Sequence, residues 1–64
     1  MRKGLKLTSL KDISDGDQPI FKKNKTYEVI FVDNEKPKIQ ICLSHEGFGC
    51  REFNLEWIVK NFKL

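Results

Sequence analysis

The nonapeptide Phe21-Lys22-Lys23-Asn24-Lys25-Thr26-Tyr27-Glu28-Val29 constrains this chain most, because it reads as a tight turn delivering the backbone into a half-buried strand. Asn24 is, after glycine, the residue best able to sit at positive φ. Beyond it Tyr27, Val29 and Phe31 alternate with Thr26 and Glu28, the period-2 pattern of a strand with one wet face. That pattern predicts an all-β fold. The remaining segments agree with it.

Leu5 and Leu7 alternate with Lys6 and Thr8 and predict a first strand over about residues 4–10, with Ser9-Leu10 as its exit or a bulge. Lys11 to Pro19 is rich in turn formers and poor in apolar residues, and reads as a long loop. It returns as an irregular arm with Ile20 and Phe21 turned inwards. The second strand covers about Thr26–Val32, and Asp33-Asn34-Glu35-Lys36-Pro37 is a turn. The third carries Ile39, Ile41 and Leu43 on one face. Glu46-Gly47-Phe48-Gly49 makes a hairpin loop, with glycines for positive φ. A short fourth strand, about Cys50–Phe53, follows. Asn54 is placed to cap Leu55-Glu56-Trp57-Ile58 as a single helical or 3₁₀ turn, with a brief fifth strand after it. Leu55, Ile58, Val59 and Phe62 also fit one amphipathic helix over residues 55–63. The predicted core is Leu7, Phe21, Tyr27, Val29, Ile39, Ile41, Leu43 and Phe53.

At 64 residues the chain is expected to form one domain, residues 1–64. A domain this small buries about 60% of its unfolded surface and has a net stability of roughly 3–5 kcal/mol. It has little core to spare for a deep, dry catalytic pocket, which favours a binding module over an enzyme. Met1 fits a whole small gene product.

The net charge of +3 is unevenly spread. Residues 1–25 carry seven basic and three acidic side chains, against five and six in residues 26–64. Lys3, Lys6, Lys22, Lys23 and Lys25 would make a modest basic patch if the ends of that segment meet, a footprint for nucleic acid. The plainer reading is a solvated surface. The isoelectric balance is less basic and the stripe less dense than duplex-binding domains usually show.

With no N-terminal apolar h-region and no run of 18 apolar residues, neither a signal peptide nor a membrane span is expected. Cys42 and Cys50 are too few for a disulfide-rich secreted scaffold. They share a face but at a diagonal offset, so they are expected unpaired in a cytoplasmic protein.

The chemistry-bearing residues do not converge. Asp12, Asp15 and Asp17 around Gly16 lack the spacing of a calcium loop and its distal bidentate Glu. His45, Cys42 and Cys50 lack a Cys-x-x-Cys pair, and Cys42 and His45 project to opposite faces of a regular strand. The expectation is therefore no catalytic residue, no metal site, no cofactor and no small-molecule substrate. Phe48, between two glycines, and Trp57 are the aromatics suited to partner contact; Trp57 also suits closing an open barrel end.

In its order of elements the chain resembles a Src-homology-3-type small barrel: strand, long loop, Phe21 to Val29 as the diverging turn, two hairpins, a short helical turn at Asn54–Ile58, and a final strand. Gly4-Leu5-Lys6-Leu7 followed by Phe21 to Val29 is similar to small uncharacterised barrel proteins of phages and prophages of Gram-positive bacteria. The resemblance implies a five-stranded barrel with one short helical or 3₁₀ turn near the C-terminus. It also implies a phage- or prophage-encoded, non-catalytic adaptor or modulator of a host protein. Leu7-Thr8-Ser9-Leu10 stands where proline-peptide-binding members carry Ala-Leu-Tyr-Asp-Tyr, and Trp57 is the only Trp, so polyproline binding by the usual groove is not expected.

Overall fold

A computed structural model describes residues 1–47 and 49–64. Asn24 stands at φ 69°, and around it the Lys25 amide donates to the Lys22 carbonyl (3.1 Å) and the Asn24 amide to the Ser9 carbonyl (2.8 Å). This turn launches the longest strand, and the fold is built on that strand.

The strands are β1 (Lys6–Ser9), β2 (Ile13–Asp15), β3 (Gln18–Phe21), β4 (Thr26–Asp33), β5 (Gln40–Ser44), β6 (Cys50–Asn54) and β7 (Phe62–Lys63), with helix α1 (Leu55–Asn61) before the last. Five of them form one antiparallel sheet in the order β6-β5-β4-β1-β7, and β2–β3 is a separate hairpin. The first half of β4 pairs with β1 (Leu7 opposite Tyr27) and the second half with β5 (Val32 opposite Ile41). One long strand shared between two neighbours curls the sheet into a half-barrel.

The bend falls at a bulge. Val29 pairs with Leu43, yet Phe31 pairs with Cys42, so β4 spends two residues where β5 spends one. A bulge increases local twist and re-aims side chains. The predicted alternation breaks here: Val29 and Val32 face the core, while Phe31 is 56% exposed. Ile39 is corrected as well. It precedes β5, is 39% exposed, and its carbonyl accepts from the Leu55 amide.

The core comprises Leu7, Ile20, Phe21, Tyr27, Val29, Ile41, Leu43, Ile58 and Phe62, with Phe53 partly buried at its margin. The long loop expected over 11–19 is instead the β2–β3 hairpin, turning at Gly16 (φ 62°) and irregular between Ile13 and Ser14. The tail falls between its two expected forms. Asn54 caps α1, its Oδ1 accepting from the Glu56 amide at 2.8 Å. The helix then runs seven residues rather than a single turn before Phe62 turns extended. Glu56 in the first turn and Lys60 in the last complement the helix dipole.

Cys42 and Cys50 form a disulfide, with Cα atoms 5.7 Å apart, which corrects the expectation of unpaired thiols. Cys42 pairs with Glu52 and Ser44 with Cys50, so the cysteines are diagonal neighbours as read. The twist of the hairpin brings this diagonal within bridging range. The bridge closes a loop of sequence separation 8, for which chain entropy gives about 2–3 kcal/mol. Reduction should therefore lower the melting temperature by about 10–20 °C, as read by circular dichroism with and without dithiothreitol. An unchanged melting curve would contradict this placement of the bridge. Among the described residues, no helix is long and apolar enough to cross a membrane.

Candidate functional site

The β2–β3 hairpin lies across from β6 and the start of α1, and a cleft of about 570 Å³ opens between them. Alternation along β6 turns Arg51 and Phe53 to the inner side, opposite Leu43 and Ile41. The cap at Asn54 then starts α1 so that Trp57, one turn on, stacks on Phe53 with ring centroids 4.6 Å apart and planes 16° from parallel. Ile13 and Ile20 supply the opposite apolar wall. At the mouth, Arg51 Nη1 donates to Asp15 Oδ2 at 2.7 Å, tying the hairpin tip to β6.

Phe21 holds the aromatic floor from beneath, packing edge-on against Tyr27 (4.9 Å) and Phe62 (5.0 Å) and tilted against Phe53 (5.5 Å) and Trp57 (6.4 Å). One face of the Trp57–Phe53 stack is thus fixed by the core. Its outer side borders the cleft. Such a surface can take an apolar side chain and orient it through the charged rim.

The β5–β6 loop is anchored by Glu46. Its amide donates to the Ile20 carbonyl (2.8 Å), and its Oε1 accepts from Lys25 Nζ (2.6 Å) and from the Tyr27 hydroxyl (3.2 Å). Tyr27 in turn accepts from the Lys22 amide at 2.7 Å. Burial, ahead of its other surroundings, pushes the Tyr27 hydroxyl above its ordinary 10.0. The Lys25 hydrogen bond holds the Glu46 carboxyl below its ordinary 4.5 and raises Lys25 above 10.5. A lowered carboxyl stabilises the fold above its unfolded value and loses that effect as pH falls through the folded value. The raised ammonium works below 10.5 and fails as pH rises through its own folded value. The anchor should therefore hold through the neutral range, with an NMR titration of the Glu46 carboxyl giving a midpoint below 4.5. A midpoint at or above the ordinary value would contradict the pairing.

Of the residues singled out from sequence, Trp57 lines the cleft, whereas Phe48 lies outside the described residues. The lysines are all exposed and are strung along the molecule. Lys22, Lys23 and Lys25 sit at the Asn24 turn beside Ser9. Lys6 lies opposite Glu28, and Lys3 precedes Gly4, whose amide binds the Val29 carbonyl. Lys25 is committed to Glu46 and the Lys23 amide to Asp12. Sequence reasoning did not single out Ile13, Arg51 or Asp15 as partners in one cleft, and it took Phe53 for core. The sole sequence signal was the capping Asn54, which sets Trp57 one turn from Phe53. A second depression, about 280 Å³ and lined almost wholly by apolar side chains including Leu5, Val59 and Leu64, lies between the N-terminal segment and α1.

No protein-family model matches the chain, and no curated protein or solved structure is significantly similar to it.

Proposed function

We propose that this chain is a non-catalytic protein-interaction module that receives a segment of another protein in the cleft between the β2–β3 hairpin and β6–α1. The observation that carries the reading is the Trp57–Phe53 stack, held by the core on one side and bordering the cleft on the other. Aromatic anchors packed in this way dominate interface energetics. Phe48 joins the proposal on sequence alone, from its place between Gly47 and Gly49.

The finer fold assignment belongs with this reading. A Src-homology-3-type barrel is supported by the sheet order β6-β5-β4-β1-β7, with the β2–β3 hairpin inserted between β1 and β4 and a short helix before the last strand. The phage or prophage setting, and a host protein as partner, rest on the sequence resemblance. The cytoplasmic placement loses one of its supports with the Cys42–Cys50 bridge, because disulfides persist mainly in oxidising compartments.

Nucleic-acid binding through Lys3, Lys6, Lys22, Lys23 and Lys25 is the competing outcome of the test. Labelled single- and double-stranded DNA and RNA are titrated at two salt concentrations, beside a pull-down from host lysate. The proposal expects no salt-steep nucleic-acid binding and a captured protein that is lost with Trp57→Ala. Micromolar binding to nucleic acid, falling log-linearly with salt, with an empty pull-down, overturns it.

A further inference from the structure

The bulge in β4 does more than bend the sheet. Val29 and Val32 both face the core, so the two residues between them, Ile30 and Phe31, both face away from it and stand 39% and 56% exposed. Regular alternation would have sent one of the two inwards. Phe31 lies directly across from Cys42, which is bridged to Cys50 on the same outer face. The outer sheet face thus carries a contiguous apolar surface of Ile30, Phe31 and the disulfide, on the side of the sheet away from the cleft.

Each flank of this surface carries both signs, arranged as a pair. Across the strand order, Lys6 stands outward on β1, paired with Glu28, and Glu52 stands outward on β6, across from Cys42. Glu52 holds Lys36, an exposed pair that can be shared at little cost. We propose that a second copy of this chain covers the face: two sheets stack about a twofold axis near Phe31, Phe31 meets its counterpart, and Lys6 of each copy lies over Glu52 of the other. A twofold contact requires a self-complementary patch. An apolar centre with Lys6 and Glu28 on one flank and Glu52 and Lys36 on the other meets that requirement when the pairs are exchanged between copies.

The apolar part of the face lies on β4, β5 and β6 and consists of two side chains and a disulfide, few beside the roughly 20–30 residues a side of a standard interface. The dimer is accordingly weak and concentration-dependent. Sedimentation velocity over about 10 to 500 µM tests it, a range matched to small interfaces. The wild type should shift from monomer to dimer across that range. Phe31→Ser, at an exposed position the fold does not need, should weaken association at least about tenfold while keeping the wild-type melting curve. Lys6→Glu should weaken it, and the charge swap Lys6→Glu with Glu52→Lys should restore it. A wild type that stays monomeric throughout, or a Phe31→Ser chain that dimerises equally, overturns the proposal. Lys6→Glu dimerising like the wild type overturns the twofold arrangement.

Discussion

Phe21→Ala should leave the chain unfolded at room temperature. The ring is 1% exposed and, among the described residues, packs with the core rings of Tyr27 and Phe62 and with Phe53 and Trp57 at the core margin. Truncating a buried Phe costs about 3–5 kcal/mol, transfer and cavity together. A domain of this size has roughly that much net stability in total. Ile41→Ala, at a position with no exposed surface, should cost about 2–5 kcal/mol by the same reasoning. Urea unfolding followed by circular dichroism reads both. A Phe21→Ala protein that melts cooperatively within a few degrees of the wild type would contradict the packing described above.

Trp57→Ala should separate binding from folding. The indole is partly buried and stacks on Phe53 at the edge of the core, so its loss weakens the fold less than that of Phe21. If Trp57 anchors a partner, removing it should lower affinity by about 2 kcal/mol or more, some thirtyfold. Trp57→Phe keeps a ring against Phe53 and should recover part of that loss. Exposed charges should behave differently. Lys22→Ala and Lys23→Ala should alter the association rate and its salt dependence, and leave residence time nearly unchanged. Affinity unmoved by Trp57→Ala would remove the cleft from the account.

The parts of this fold legible in the sequence were those set by local chemistry. Asn24 announced its turn through its tolerance of positive φ, and Asn54 announced the start of α1 through its capping oxygen. The alternations in β1 and β5 mark their strands to within a residue or two, and the short fourth strand expected over Cys50–Phe53 is β6. What stayed hidden depended on the third dimension. A period-2 reading counts residues and cannot see that β4 spends two of them opposite Cys42, so Phe31 was assigned the wrong side. The β2–β3 hairpin reads as a loop because Asp15-Gly16-Asp17 and Pro19 carry turn chemistry, while its inward anchors, Ile20 and Phe21, sit at its far end. The disulfide was missed because the twist that closes the Cys42–Cys50 diagonal belongs to the hairpin as a whole.

The candidate cleft was legible by half. Trp57 was recognised as an aromatic on a short helix, but its role depends on Phe53 beneath it and on Ile13 and Ile20 opposite, residues brought together by the hairpin. Arg51 and Asp15 are 36 positions apart in the chain, and nothing local links them.

Mapping a bound partner residue by residue tests the central claim most directly. Backbone amide and indole resonances of the labelled chain are followed while the protein captured from lysate is added, and in parallel while a nucleic-acid duplex is added. The account predicts that the captured protein shifts the Trp57 indole and the amides of Ile13, Ile20, Arg51 and Phe53, and that the duplex leaves them in place. Shifts confined to Lys3, Lys6, Lys22, Lys23 and Lys25 on adding the duplex, with the Trp57 indole unmoved by either ligand, would contradict it.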